Sequence, residues 1–115
     1  MIKKFGLPIL VAGIFCLTAT SGHAVFELGK SLKFKCMGEL NSNEEAQCLG
    51  YLSGIADVMM EGNKINKFKA CIPETVNDTE ILTIIRKVLK DNPSNLHYTG
   101  SDLVAYAFQE AYPCD

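Results

Sequence analysis

Hydrophobic residues recur at three- and four-residue intervals along most of the chain beyond residue 25, which is the period of amphipathic helices. Leu28, Leu32 and Cys36 lie at four-residue steps and predict a first helix from Gly29 to about Met37. No segment alternates between apolar and polar residues for more than a few positions, so we predict no strand.

The second helix is predicted from its start signal. Ser42, followed three residues later by Glu45, has the spacing of a capping box, and Glu44 suits the positive end of the helix dipole. We expect this helix to end near Glu61, with Gly62 as its C-cap.

Two further helices are predicted in the C-terminal half. The third starts near Asn77 or Asp78 and stops before Pro93, and the fourth runs from about Ser101 to Tyr112 behind a Thr99 cap. Their buried faces are predicted to hold Ile81, Leu82, Ile85, Val88 and Leu89, and Leu103, Val104, Ala107, Phe108 and Ala111. The pattern therefore predicts an all-α, four-helix bundle-like domain with one core.

The N-terminus carries the layout of a secretory signal. Two lysines precede an apolar run from Phe5 to Leu17, and small residues precede a cut after Ala24. We therefore predict a removed signal at residues 1–24, a single domain at residues 25–115, and a periplasmic location without a stable membrane anchor. The domain keeps Cys36, Cys48, Cys71 and Cys114, an even number that predicts two disulfides in an oxidising compartment.

Charge and composition exclude several function classes. Nine basic and thirteen acidic residues give the domain a net charge of −4, which argues against nucleic acid as its partner. The domain has one histidine, His97, so a metal site would lack ligands. Helix capping explains the neighbouring Ser101 and Asp102 better than a catalytic triad does. We predict that the protein is not an enzyme and holds no cofactor.

The stretch CLGYLSGIAD combines a buried stripe with a stripe of small residues on the second helix. Cys48 falls on the core side and Tyr51 beside it, whereas Gly50, Gly54 and Asp57 fall on the opposite side. Each mid-helix glycine costs about 1 kcal/mol relative to alanine, so close approach of another backbone is expected there. We favour coverage by the chain's own helices, and the alternative is a groove left open for a partner.

A second candidate is the irregular segment EGNKINKFKACIPETVND. It places Lys64, Lys67 and Lys69 around Phe68 on an otherwise acidic protein. One interpretation is a solvated connection tied down at Cys71. The other is a recognition loop whose aromatic residue anchors in a pocket of a partner.

Read in order, the motifs LGKSLKFKC, CLGYLSGIAD, ACIPETV and the Pro-split helix pair closed by PC resemble the Rap/Tai-type immunity proteins of type VI secretion systems. The resemblance covers nearly the whole domain and implies a small periplasmic helical protein that binds and blocks a toxic effector, commonly a peptidoglycan amidase. The partner that the resemblance implies is a protein effector, and a homodimer is a separate second option.

A fainter resemblance links the layout to Hde-type periplasmic acid-stress chaperones, which gives the alternative function of a stress chaperone or general binding module. By that analogy the pairs would be Cys36–Cys71 and Cys48–Cys114. A hairpin of the third and fourth helices brings residues 71 and 114 to the same end, which equally allows Cys36–Cys114 and Cys48–Cys71.

Overall fold

The computed structural model describes residues 27–115, so the predicted signal at residues 1–24 lies outside the described part of the chain. Within residues 27–115 the fold consists of four α-helices: α1 Gly29–Cys36, α2 Asn43–Met60, α3 Asp78–Asp91 and α4 Gly100–Ala111. A short 3-10 turn, Pro93–Asn95, joins α3 to α4. The predicted all-α fold is confirmed, although the 3-10 turn was not predicted.

The predicted caps also form. The Ser42 hydroxyl accepts the backbone N–H of Glu45 at 3.1 Å, and the Asn77 side chain accepts that of Glu80 at 2.9 Å. The Thr99 hydroxyl accepts the N–H of Asp102 at 3.3 Å. The capping box at α2 differs in one bond, because the Glu45 carboxylate accepts from the N–H of Asn41, one residue before the expected donor.

Helix α2 is the longest of the four helices and contacts each of the other three, as every helix of the described chain does. Its core stripe is buried as predicted: Cys48, Leu52, Ile55 and Met59 are at most 9% exposed. One expectation at a helix end is wrong, because Ala111 is exposed. Ala111 is the last residue of α4.

The closest backbone packing occurs where α1 meets the start of α4. A Cβ on Gly29 would overlap the Leu103 side chain and would lie 2.9 Å from the Leu96 backbone. A Cβ on Gly100 would come within 3.1 Å of the Glu27 backbone and 3.0 Å of the Tyr51 hydroxyl. These two glycines, not those of α2, let helices approach closely in this fold.

The two disulfides join Cys36 to Cys48 and Cys71 to Cys114. The expected pairs Cys36–Cys71 and Cys48–Cys114 are therefore wrong, and so is the other arrangement weighed. The short connection between α1 and α2 folds the end of α1 back onto the second turn of α2, which brings Cys36 to Cys48. The segment before α3 meets the end of α4 through a bond from the Cys71 N–H to the Tyr112 carbonyl at 2.8 Å.

Candidate partner-binding surface

The segment between α2 and α3 is fixed on the scaffold by backbone bonds. Ile65 and Phe68 exchange two hydrogen bonds of 3.1 and 2.9 Å, which close a tight turn. The Lys69 N–H donates to the Gln109 side chain on α4 at 3.0 Å, and Cys71 is cross-linked to Cys114. We call residues 62–76 the basic loop. The basic half of this loop, up to Cys71, is held in one conformation against α4.

Phe68 does not project from the basic loop. Its ring is half-buried against the core and meets the Tyr106 ring edge to face, with 6.0 Å between the ring centroids. The Lys67 ammonium lies 5.5 Å from the Phe68 centroid, within the range of a cation–π contact. In this conformation Phe68 packs on the scaffold, and its role in a recognition loop stays a prediction.

Phe68 instead forms one wall of a cleft of about 480 Å³ between the basic loop, the 3-10 turn and α4. We call it the loop cleft. Leu103, Tyr98 and Tyr106 supply further apolar surface, and Asn66, Asn95 and Asp102 supply polar groups. The Asn66 amide donates to the Asp102 carboxylate, which also lies in the first turn of α4. This bond ties the basic loop to the start of α4.

The lysines of the basic loop give this surface a positive charge. Lys64, Lys67 and Lys69 are all exposed. The ion pairs among residues 27–115 are Lys35–Glu27, Arg86–Glu45 and Lys87–Asp91, so none of them involves a loop lysine. The predicted basic surface is thus present on an acidic protein.

The glycine face of α2 is open, contrary to the favoured interpretation. Gly50, Gly54 and Asp57 are exposed, and a Cβ on either glycine would meet nothing within 4 Å. The four helices of residues 27–115 therefore do not cover this face. The physical reason is that α1, α3 and α4 all pack on the Cys48 side of α2, where its apolar residues lie.

Tyr51 belongs to the packed side of α2. Its hydroxyl lies beside Gly100 at the start of α4. Burial raises the pKa of the Tyr51 phenol above its ordinary value of 10.0, and the negative charge of Glu27 raises it further. The nearby Ser101 hydroxyl acts in the opposite direction and lowers the pKa. Tyr51 thus joins α2 to α4 and is not part of the glycine face.

The other chemically suggestive residues have structural contacts. His97 is exposed and stacks on Tyr98 with 4.3 Å between the ring centroids, and the Ser101 hydroxyl lies 3.3 Å from that of Thr99. In residues 27–115 no group of histidine, cysteine or acidic side chains could hold a metal ion. No helix in that same range is long and apolar enough to cross a membrane.

Sequence reasoning identified the basic loop but missed the opposite side of the cleft. Asn95 and Tyr98 belong to a turn, and Tyr106 lies on the exposed side of α4. One available signal was Tyr106, an aromatic residue outside the predicted apolar face of its helix. The proximity of the turn to the basic loop depends on tertiary packing, which the helical period does not reveal.

Comparison with known proteins supports the family suggested by the motifs. A family model described as Rap1a immunity proteins matches residues 28–114, which include all four helices and both disulfides. A comparison with curated proteins finds no match. Since the family model covers well over half of the sequence, the chain belongs to the Rap1a immunity protein family.

Proposed function

We propose that this protein is exported to the periplasm, where it binds and inhibits a toxic effector of a type VI secretion system. The effector class that the resemblance implies is a peptidoglycan-degrading amidase, and inhibition is by occlusion of its active site. Membership in an immunity family supports the binding role. The two disulfides support export, because such bonds persist in oxidising compartments.

The observation that carries the choice of surface is the basic loop. Three exposed lysines without ion-pair partners among the described residues stand on a scaffold that is otherwise acidic. The loop is held by the Cys71–Cys114 disulfide and by bonds to α4, so little conformational entropy is lost when it binds. A rigid positive surface suits an effector that is negative around its active site.

The decisive experiment is co-production with the product of the adjacent gene, directed to the periplasm. If that product is toxic alone, harmless together with this chain, and hydrolyses purified peptidoglycan unless this chain is added, the proposal holds. A neighbouring product that is neither toxic nor bound would contradict the immunity function. The protein would act without catalysis of its own, so the mixture should show no product besides those of the effector.

Charge reversal locates the surface. Lys67→Glu should weaken binding about tenfold or more, with the largest change in the association rate at low salt. Lys33→Glu is the matched control, because Lys33 lies on α1 and does not line the loop cleft. If Lys67→Glu binds normally while Gly54→Leu abolishes binding in a folded protein, the effector docks on the glycine face instead.

An acid-stress chaperone is the second candidate, and exposed apolar side chains favour it. Phe34 and Leu40 are each 70% exposed, near the α1–α2 connection. A chaperone of this kind should expose more apolar surface as its carboxylates are protonated. Unchanged binding of the dye ANS and unchanged molecular size between neutral pH and about pH 3 would argue against it.

A further inference from the structure

The loop cleft has the size of a binding site for a side chain and its neighbours. Its volume is about 480 Å³. Sites for small ligands range from about 300 to 1,000 Å³, so the cleft exceeds the packing defects of ordinary cores. It is therefore large enough for an apolar side chain together with part of the chain that carries it.

The apolar part of the loop cleft is held in place before any partner arrives. Leu103 is 5% exposed and belongs to the hydrophobic core, while Phe68 and Tyr106 hold each other edge to face. Asn66 is bonded to Asp102 across the cleft, and the neighbouring Lys69 is bonded to α4. Because these contacts already exist in the free chain, the cleft residues lose little conformational entropy when a side chain enters.

The rim of the loop cleft favours a peptide with a negative charge. Lys67 lines the cleft, is exposed to solvent and forms no ion pair within residues 27–115. Asp102 also lines the cleft, but its carboxylate accepts the Asn66 amide and faces the positive end of α4. The Asn95 side chain forms no hydrogen bond with the described residues, which leaves its amide able to bond a peptide group.

We propose that the loop cleft receives an apolar side chain of the effector, carried on a segment whose adjacent carboxylate pairs with Lys67. This inference rests on the proposed function and reverses the direction of insertion expected from the sequence. Phe68 acts as a wall of the receiving site, and the inserted residue comes from the partner. The Lys67 ammonium, near the Phe68 ring, meets the carboxylate at the rim.

The four tyrosines offer a direct readout, because two line the loop cleft and two do not. The chain is labelled with 3-fluorotyrosine, and each fluorine resonance is assigned with single Tyr→Phe variants. Addition of the effector should shift the Tyr98 and Tyr106 resonances and leave those of Tyr51 and Tyr112 in place. A complex that forms without any shift at Tyr98 and Tyr106 would overturn the inference while leaving the proposed function intact.

Filling the loop cleft provides an independent test. Asn95→Trp places a large ring at the cleft and should weaken effector binding about tenfold or more. Ser94→Trp is the matched control, with the same added bulk one residue earlier in the same 3-10 turn but outside the cleft lining. Equal affinities of both variants and the natural chain would contradict the inference. If the natural chain binds no effector at all, the proposed function fails and this inference fails with it.

Discussion

The Arg86 guanidinium on α3 donates from Nε to the carbonyl oxygen of Cys36, at the C-terminal end of α1, over 2.7 Å. Its second donor, Nη2, lies 3.0 Å from the Glu45 carboxylate at the start of α2. One side chain thus supplies a cation to the negative end of α1 and a partner to the acid of the α2 cap. Arg86 therefore fixes the connection that the Cys36–Cys48 disulfide closes.

Replacing Arg86 should destabilise the domain more than replacing its exposed neighbour. Arg86→Ala leaves the half-buried Glu45 without its cation and should lower the free energy of unfolding by about 2 kcal/mol. Arg86→Lys should recover only part of the loss, because an ammonium lacks the planar fork that reaches both partners. Urea denaturation measures the change.

Lys87→Ala is the control for Arg86. Its ion pair with Asp91 lies on the surface, so its loss should leave the urea midpoint unchanged. Equal effects of the two alanine variants would contradict the structural role of Arg86.

Arg86 also illustrates what the sequence could and could not predict. The helical period, the Ser42 and Thr99 caps and the core stripe of α2 are local patterns, and each was predicted correctly. The sequence places Arg86 late in the third helix and indicates no partner for it outside that helix. Its actual partners lie about 40 to 50 residues away, and such pairings depend on how the helices cross.

The disulfides and the loop cleft were mispredicted or missed for the same reason. Cys36 pairs with Cys48 because the connection between α1 and α2 is tight, which the helical period does not encode. The glycines of α2 suggested close packing, whereas packing at Gly29 and Gly100 depends on the crossing of α1 with the start of α4. Local sequence patterns predict where the helices lie, but they do not predict which residues meet between helices.

The two disulfides should differ in their sensitivity to reductant. Cys36 and Cys48 are fully buried, whereas Cys71 is exposed and Cys114 half-buried. Because thiol–disulfide exchange needs access to a sulfur atom, dithiothreitol under native conditions should reduce Cys71–Cys114 first. Alkylation followed by peptide mass spectrometry measures the order. Earlier labelling of Cys36 and Cys48 would contradict the burial of their bond.

Removal of the two disulfides should lower the free energy of unfolding by different amounts. In the chain-entropy description, a bond that closes a longer loop stabilises more, at about 4 kcal/mol for Cys71–Cys114 and about 3 kcal/mol for Cys36–Cys48. The double variant Cys71→Ser/Cys114→Ser should also release the basic loop and weaken effector binding. Denaturation of the two double serine variants, each beside the natural chain, tests the ranking.

Stability should fall in alkaline solution in a way that depends on Tyr51. The folded chain holds the pKa of Tyr51 above its ordinary value of 10.0, so it favours the neutral phenol. The resulting stabilisation is complete below about pH 10 and is lost as the pH rises through the raised pKa of the folded state. Tyr51→Phe cannot ionise, so its urea midpoint should fall less steeply above pH 10. Parallel curves for the two proteins would show that Tyr51 makes no such contribution.

The glycines provide the sharpest comparison, because the same substitution should have opposite effects in two places. Gly50 and Gly54 lie in the exposed interior of α2 with open space around them, so alanine at each should raise the free energy of unfolding by about 1 kcal/mol. Gly29 and Gly100 face backbone atoms at about 3 Å, so alanine there must push α1 away from α4 and should cost about 1 to 3 kcal/mol. Thermal and urea denaturation of the four single variants measures whether each substitution raises or lowers the free energy of unfolding. Destabilisation by Gly54→Ala would mean that another part of the chain covers this face in solution. Stabilisation with unchanged effector binding would show that the glycine face serves neither folding nor recognition of the effector.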